Sequence, residues 1–395
     1  MSKSIYTQAA HIGREDFNEL GIHAAPIDLS STYPLTSLES GRDSIDSLST
    51  GNACATSPIY SRLHNPTVFR YEKAFAQLEN ADAGIAFASG MAAIHAIFLS
   101  LKAKAGAEGK KKNHIIGVRP IYGCTDHLLS SGLLEFEIDW VKEDEIKQHI
   151  REETALVVIE TPANPTLNLV VIKNVVEQAE EIPVMVDNTF ATPLNQTPLD
   201  LGATFSVHSA TKYLGGHGDV IAGIVATNET WAAYVRQIRI VTGGNMHPMA
   251  AYLLLRSLPT LPLRVERAQE NAIQLAKKLK TLKGISKVFF PGLPECDPRN
   301  LVKKQMRGPG SVIAIELDGG FEAASKMVTK TNIFTHAVSL GSTDSLIEHP
   351  AGLTHRIVSE EGRTMGGITE GMIRLAIGIE DVNDLFKDLA QALKN

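Results

Sequence analysis

Lys212 stands in the run Ser206-Val207-His208-Ser209-Ala210-Thr211-Lys212-Tyr213-Leu214-Gly215-Gly216-His217-Gly218-Asp219, behind two small hydroxyl residues and ahead of a glycine cluster. Ala203 to Val207 leads into it and reads as a strand. A lysine at the end of a buried strand loses solvation, its pKa falls, and the free amine becomes a usable nucleophile or base. The hydroxyls of Ser209 and Thr211 can donate to phosphate oxygens, and glycines let a backbone approach a ligand closely. These residue types in this order suggest a Schiff-base site for pyridoxal phosphate. Taken alone, the same lysine also reads as a solvated loop residue.

Other strand ends carry polar groups of the right kind. Asp187 follows the apolar run Ile182 to Val186. There it could pair with a protonated pyridine nitrogen and keep the ring an electron sink, or it could be a turn aspartate. Gly84 to Ala88 runs into Ser89-Gly90-Met91 and then a helical stretch. Such a turn offers backbone N–H groups to an anion, although plain helix capping leaves the same pattern. Tyr122 could stack on an aromatic ligand and donate a proton, or simply pack. Asn164 lies on a proline-stiffened loop after another strand. Arg374 interrupts the apolar strand Met372 to Ile377. A buried guanidinium needs a partner, which a substrate carboxylate or a structural ion pair would supply.

The elements that must position these residues alternate. Helical spacing covers Val68 to Leu78, Met91 to Leu101, Glu143 to Ile150 and Ile172 to Glu180. Between them lie short strands: Gly84 to Ala88, Ile115 to Val118, Ala155 to Glu160, Val184 to Val186, Thr204 to Val207 and Val220 to Ala226. Short apolar strands alternating with helices define an α/β fold with a mostly parallel sheet, which binds ligands beyond the carboxyl ends of its strands. A long amphipathic helix, Arg264 to Leu282, opens a smaller α+β domain. That domain has strands at Lys287 to Phe290, Val312 to Leu317, Ile333 to Val338 and Met372 to Ile379, and helices at Glu322 to Thr329 and from Val382. Residues 1–66 lack a sustained period and read as an extended arm. The expected organisation is therefore an arm (1–66), an α/β domain (67–260) and a carboxyl-terminal α+β domain (261–395).

Composition narrows the function classes. The 395 residues are 44% hydrophobic and 21% charged with a formal charge of −6, which gives no electrostatic footprint for nucleic acid. Ala83 to Leu101 approaches membrane-spanning length but breaks at Ser89-Gly90, so a strand turning into a buried helix is expected and no membrane partner. Three dispersed cysteines, Cys54, Cys124 and Cys296, argue against a disulfide framework and for a reducing compartment. No metal-ligand spacing stands out, and the expected location is the cytoplasm.

Together these stretches resemble the Cys/Met-metabolism family of pyridoxal-phosphate enzymes, over nearly the whole chain. The motifs are Tyr60-Ser61-Arg62 with Asn65-Pro66-Thr67, Ser89-Gly90-Met91, Tyr122-Gly123, Glu160-Thr161-Pro162, Asp187-Asn188-Thr189 and the lysine run. Ser339-Leu340-Gly341, His349-Pro350, Arg374-Leu375 and Gly378-Ile379-Glu380 complete them. The resemblance implies the aspartate-aminotransferase-like fold, fold type I. It implies that Lys212 holds pyridoxal 5'-phosphate covalently, Asp187 pairs with the ring nitrogen, and Gly90, Met91, Ser209 and Thr211 hold the phosphate. Tyr122 would stack on the ring and donate protons, with Thr189 near the ring. Asn164, Ser339 and Arg374 would contact the substrate carboxylate or the cofactor's phenolic oxygen. Tyr60 and Arg62 would reach the phosphate of a neighbouring subunit, so a homodimer would be the catalytic unit, usually paired into a homotetramer.

Within that family two details lean toward γ-elimination from a small amino acid, as in methionine γ-lyases. Cys124 follows Tyr122-Gly123, where most relatives carry another glycine, and Val338 precedes Ser339, where cystathionine lyases tend to carry glutamate. Cys124 also reads as a small buried thiol. Arg239-Ile240 replaces the Lys-Asp pair expected before Thr242-Gly243-Gly244, and the segment 33–59 is long. These departures keep other readings open. One is γ-replacement by an O-acetylhomoserine sulfhydrylase or cystathionine γ-synthase. The others are a cystathionine γ-lyase and a γ-lyase for an O-substituted homoserine or canavanine.

Overall fold

The computed structural model describes residues 4–55 and 57–394. Residues 1–3 and 56 of the expected arm, and residue 395 of the expected last domain, lie outside the described residues. The chain divides into two compact units, Met1–Asn113 with Thr197–Leu261, and His114–Gln196 with Pro262–Asn395.

In the first unit the strands Ala83–Phe87, Gly223–Thr227 and Phe205–His208 lie side by side in that order, and both pairings are antiparallel. Residues 209–222 join the last two without a crossover helix, so the chain can only turn back, and the strand after the lysine run opposes its neighbours. Helix Pro66–Leu78 begins where Asn65 Oδ1 accepts from Thr67 N (3.0 Å) and Val68 N (3.2 Å). Gly90–Ala107 outruns the expected end at Leu101, because Lys102 to Ala105 continue with good helix formers. Glu229–Thr242, capped by Asn228, and Pro248–Ser257 complete its longer helices. The arm is more ordered than its sequence suggested. Ser37 caps a helix over Leu38–Ser49, whose buried positions Gly41, Ser44 and Leu48 are mostly small or polar and leave little apolar signal.

In the second unit Val184–Asp187, Thr154–Glu160, His114–Val118 and Glu137–Val141 form a parallel array in that order. Thr154–Glu160 is buried along its whole length, as a strand covered on both faces must be. The helix expected over Glu143 to Ile150 is only a 3₁₀ turn, Ile146–His149; the Glu145 carboxylate takes the Lys142 N–H (3.1 Å) and turns the chain first. A second sheet orders Thr335–His336, Leu346–Glu348, Met372–Ala376, Val312–Leu317 and Ile285–Phe289. Ala272, Leu275 and Leu279 of helix Leu261–Leu279 pack in one core with Ile313, Ile315, Ile373 and Leu375 of that sheet. The strand expected over Ile333 to Val338 shrinks to two residues. Asp388 captures the N–H groups of Asn332 (2.8 Å), Ile333 (2.8 Å) and Phe334 (3.0 Å), so they are not available to a ladder. Among the described residues no helix is long and apolar enough to cross a membrane.

Candidate active site

The first unit places the lysine run at the end of Phe205–His208. His208 is fixed by Glu79, Nε2 to Oε1 at 2.5 Å, both side chains buried. The next turn is closed by Lys212 N donating to Ser209 O (3.1 Å), and the loop by Gly216 N donating to Lys212 O (2.8 Å). Thr211 is pinned to the returning chain. Its hydroxyl donates to Ala222 O (3.2 Å) and accepts from Ala222 N (3.0 Å). Ser89 Oγ caps helix Gly90–Ala107 by accepting from Ala92 N (3.1 Å), and Gly90 lies against Ser209, where a Cβ would come within 3.1 Å of the serine Cβ. Gly223 packs so closely on this turn that a Cβ would stand 2.1 Å from Ser89 O. Gly90, Met91, Ser209, Thr211 and Lys212 thus share one small-residue cradle at the amino end of a long helix, a setting suited to a phosphate.

Tyr60 and Arg62 lie apart on the arm. Tyr60 is exposed, with the Arg62 guanidinium 5.6 Å from its ring centroid. Arg62 also donates to Ile240 O at 2.5 Å. Arg239 turns inward instead, ion-paired with buried Glu72 and donating to Ala86 O (3.1 Å). It ties a helix to a strand inside this unit.

The second unit carries the remaining candidates, with Glu160 and Asp187 ending adjacent parallel strands and Arg374 in the middle of an antiparallel strand of the second sheet. Glu160 and Asp187 are register partners. Asp187 Oδ1 accepts from Thr189 N (3.0 Å) and Thr189 Oγ1 (2.6 Å), which orients the carboxylate. The Glu160 side chain joins two loops, accepting from Tyr122 N at Oε2 (2.6 Å) and from Asn164 N at Oε1 (2.8 Å). Burial, then the Asp187 charge, holds Glu160 well above the ordinary carboxylate range against those two hydrogen bonds. Burial, then a hydrogen bond with Cys124 and the charges of Asp187 and Glu160, raises the Tyr122 phenol, so it keeps its proton. Gly123 sits where a Cβ would lie 2.3 Å from Thr354 O, so the residue after Tyr122 must be glycine.

Arg374 is 2% exposed. Its Nη1 donates to Asn164 Oδ1 (2.9 Å) and its Nη2 to Ser339 O (2.9 Å), and Nη2 forms an ion pair with Glu348 Oε1 at 2.7 Å. Ser339 adopts φ +111°, a conformation other residues than glycine rarely hold, and it aims the carbonyl at the guanidinium. Glu348 Oε1 also accepts from Thr354 Oγ1 (3.0 Å), which contacts His355 Nδ1 (3.1 Å). Burial and then Arg374 depress His355 to about 4. The structural ion pair that sequence reasoning left as one alternative for Arg374 is therefore present, alongside its contacts to Asn164 and Ser339.

Sequence reasoning missed Glu348, Thr354 and His355, and it quoted Glu160 only within a motif. Glu160 had a usable signal, since an acidic residue ending an apolar strand is the pattern that marked Asp187. Glu348 and His355 had none, because partners distant in sequence define them.

The chain belongs to the Cys/Met metabolism PLP-dependent enzyme family, whose profile matches residues 6–394. It is 48% identical over 389 residues to an L-methionine gamma-lyase of Brevibacterium sandarakinum, covering 98% of this chain and 96% of that one. It is 44% identical over 392 residues to an L-methionine gamma-lyase of Streptomyces avermitilis, covering 99% and 89%. A cystathionine gamma synthase of Xanthomonas oryzae pv. oryzae, solved with aminoacrylate and cysteine, superposes with a TM-score of 0.89 at 31% identity, covering 100% and 98%. The fold is that of the PLP-dependent trans-sulfuration enzymes, as expected, and the cofactor is pyridoxal 5'-phosphate.

Proposed function

We propose that this chain catalyses γ-elimination from a γ-substituted L-amino acid, with methionine as the first substrate to test. Water is consumed, and 2-oxobutanoate, ammonia and the released thiol are the products. The observation that carries this reading is the Tyr122 phenol, half-buried beside Cys124 with its pKa raised, a proton source for a departing γ-substituent. The full-length likeness to L-methionine gamma-lyases favours elimination.

Lys212 would bind the cofactor and afterwards, as a free amine, move protons at the substrate's α- and β-carbons. Bound there, pyridoxal phosphate supplies an electron sink for the α-carbanion. Each set of donors suits part of such a group: the glycine and hydroxyl cradle around Ser209 a phosphate, and the Asp187 carboxylate, oriented by Thr189, a pyridine nitrogen. Asn164, Ser339 and Arg374 would orient the α-carboxylate, and Thr189 would lie near the ring. Tyr60 and Arg62 would complete the phosphate site of a neighbouring subunit in a cytoplasmic homodimer or homotetramer.

The purified protein, offered a panel of γ-substituted amino acids, should release 2-oxobutanoate and ammonia from methionine without added thiol. Ketoacid release suppressed by sulfide or cysteine, with a new thioether formed, would favour γ-replacement, the reaction type of the cystathionine gamma synthase likeness. Lys212→Ala should lack a borohydride-sensitive visible band; a band retained in that variant would overturn the assignment of Lys212.

A further inference from the structure

The carboxylate clamp is already half filled. A guanidinium has five N–H hydrogens, and both edges that can grip a carboxylate in two-pronged fashion include Nη2. In this chain Nη2 donates to Ser339 O (2.9 Å) and stands 2.7 Å from Glu348 Oε1 in a buried ion pair. Nη1 donates to Asn164 Oδ1 (2.9 Å), and Nε has no partner although it is buried. Glu348 faces Arg374 directly across the strands Leu346–Glu348 and Met372–Ala376, and both side chains are 2% exposed or less. Thr354 holds the near oxygen of Glu348, and the far oxygen, Oε2, is buried without a partner.

We infer that Glu348 competes with the substrate's α-carboxylate for Arg374, and so sets how tightly the enzyme holds its amino acid. The inference rests on the proposed role of Arg374 in carboxylate binding. An incoming carboxylate could use the unpartnered Nε–H, but its second prong would fall on Nη2, which already serves Ser339 O and the Glu348 ion pair. It also enters next to a buried negative charge whose countercharge is the same guanidinium. Like charges brought together away from water repel strongly. Glu348 is thus a positioning residue with a cost to affinity: it fixes the orientation of Arg374 and weakens what Arg374 can bind.

Glu348→Gln keeps the shape and an acceptor for Arg374 and removes the charge. In the holoenzyme, L-norleucine, which has the length of methionine and no leaving group, is titrated by the cofactor's visible absorbance, beside L-norleucinamide, which lacks the carboxylate. Glu348→Gln should bind norleucine at least about fivefold more tightly, leave norleucinamide unchanged, and lower KM for the turned-over amino acid more than it alters kcat. A second variant acts in the opposite direction. Thr354→Val removes the hydroxyl that partly satisfies Glu348 and should weaken norleucine binding, while Thr354→Ser restores it. Norleucine binding unchanged or weakened in Glu348→Gln, or equal shifts for both ligands, would overturn the inference, as would unchanged binding in Thr354→Val. Arg374→Lys separates this from failure of the underlying reading. If it does not weaken norleucine relative to the amide, Arg374 does not bind the carboxylate at all, and the inference falls with it.

Discussion

At the scale of single residues, Glu160 and His355 make opposite and measurable contributions. Two backbone N–H groups point at the two oxygens of Glu160, and Glu160→Gln offers only one acceptor. One buried N–H then faces an amide donor, which should lower the unfolding free energy by about 1–3 kcal/mol in denaturant titration; an unchanged midpoint would contradict the geometry. His355 is held near 4, below its ordinary 6.5, by burial and then by Arg374. Folded, it stays neutral down to about pH 4, whereas the unfolded chain takes up a proton below about pH 6.5. Stability from this group is therefore complete above 6.5 and lost as pH falls toward 4, by roughly 3 kcal/mol at most. Glu160 works the other way, since a raised carboxyl pKa costs stability as pH climbs above its ordinary 4.5. Thermal unfolding of His355→Gln across pH 4 to 6.5 should show a shallower loss than the parent. The positions of Asp187, ending an apolar strand, and of Lys212, in the turn beyond another, were legible because apolar runs mark where strands end. The roles of Glu348 and His355 were not, because pairing across a sheet sets the Arg374 partner of Glu348, and a turn brings His355 against groups distant in sequence.

At the scale of elements, the strands were more legible than what joins them. Val312–Leu317 was read to the residue, since an apolar run has sharp ends. Ile333 to Val338 was over-read because Asp388, far along the chain, takes its amides. The turn Ser89-Gly90, with Gly223 against it, is the tightest joint of the lysine cradle. Gly223→Ala must push Ser89 aside, because its Cβ would meet the carbonyl at 2.1 Å. It is expected to lose bound cofactor, read as the ratio of visible to protein absorbance. Ser89→Ala only removes a cap and should cost about 1 kcal/mol of stability, with the cofactor retained. Equal cofactor retention in both variants would show that the close approach of Gly223 has no bearing on the cradle.

At the scale of the whole molecule, the arm carries apolar surface that this chain alone leaves in water. Leu20, Leu29, Leu35, Leu38, Ile45 and Tyr60 are all exposed, within the part of the chain proposed to meet a neighbour. Leu29→Glu with Leu38→Glu should shift the particle to a smaller mass in analytical ultracentrifugation and reduce bound cofactor; an unchanged mass would place the contact elsewhere. Sequence reasoning read residues 1–66 as an arm from their lack of period and missed the helices within them, among them Leu38–Ser49, which buries few apolar groups. The exposed pair Tyr60 and Arg62 carries a further consequence. If each active centre borrows those two side chains, catalytic power belongs to the assembly, and specific activity should fall on dilution below the dissociation constant and return when the enzyme is reconcentrated.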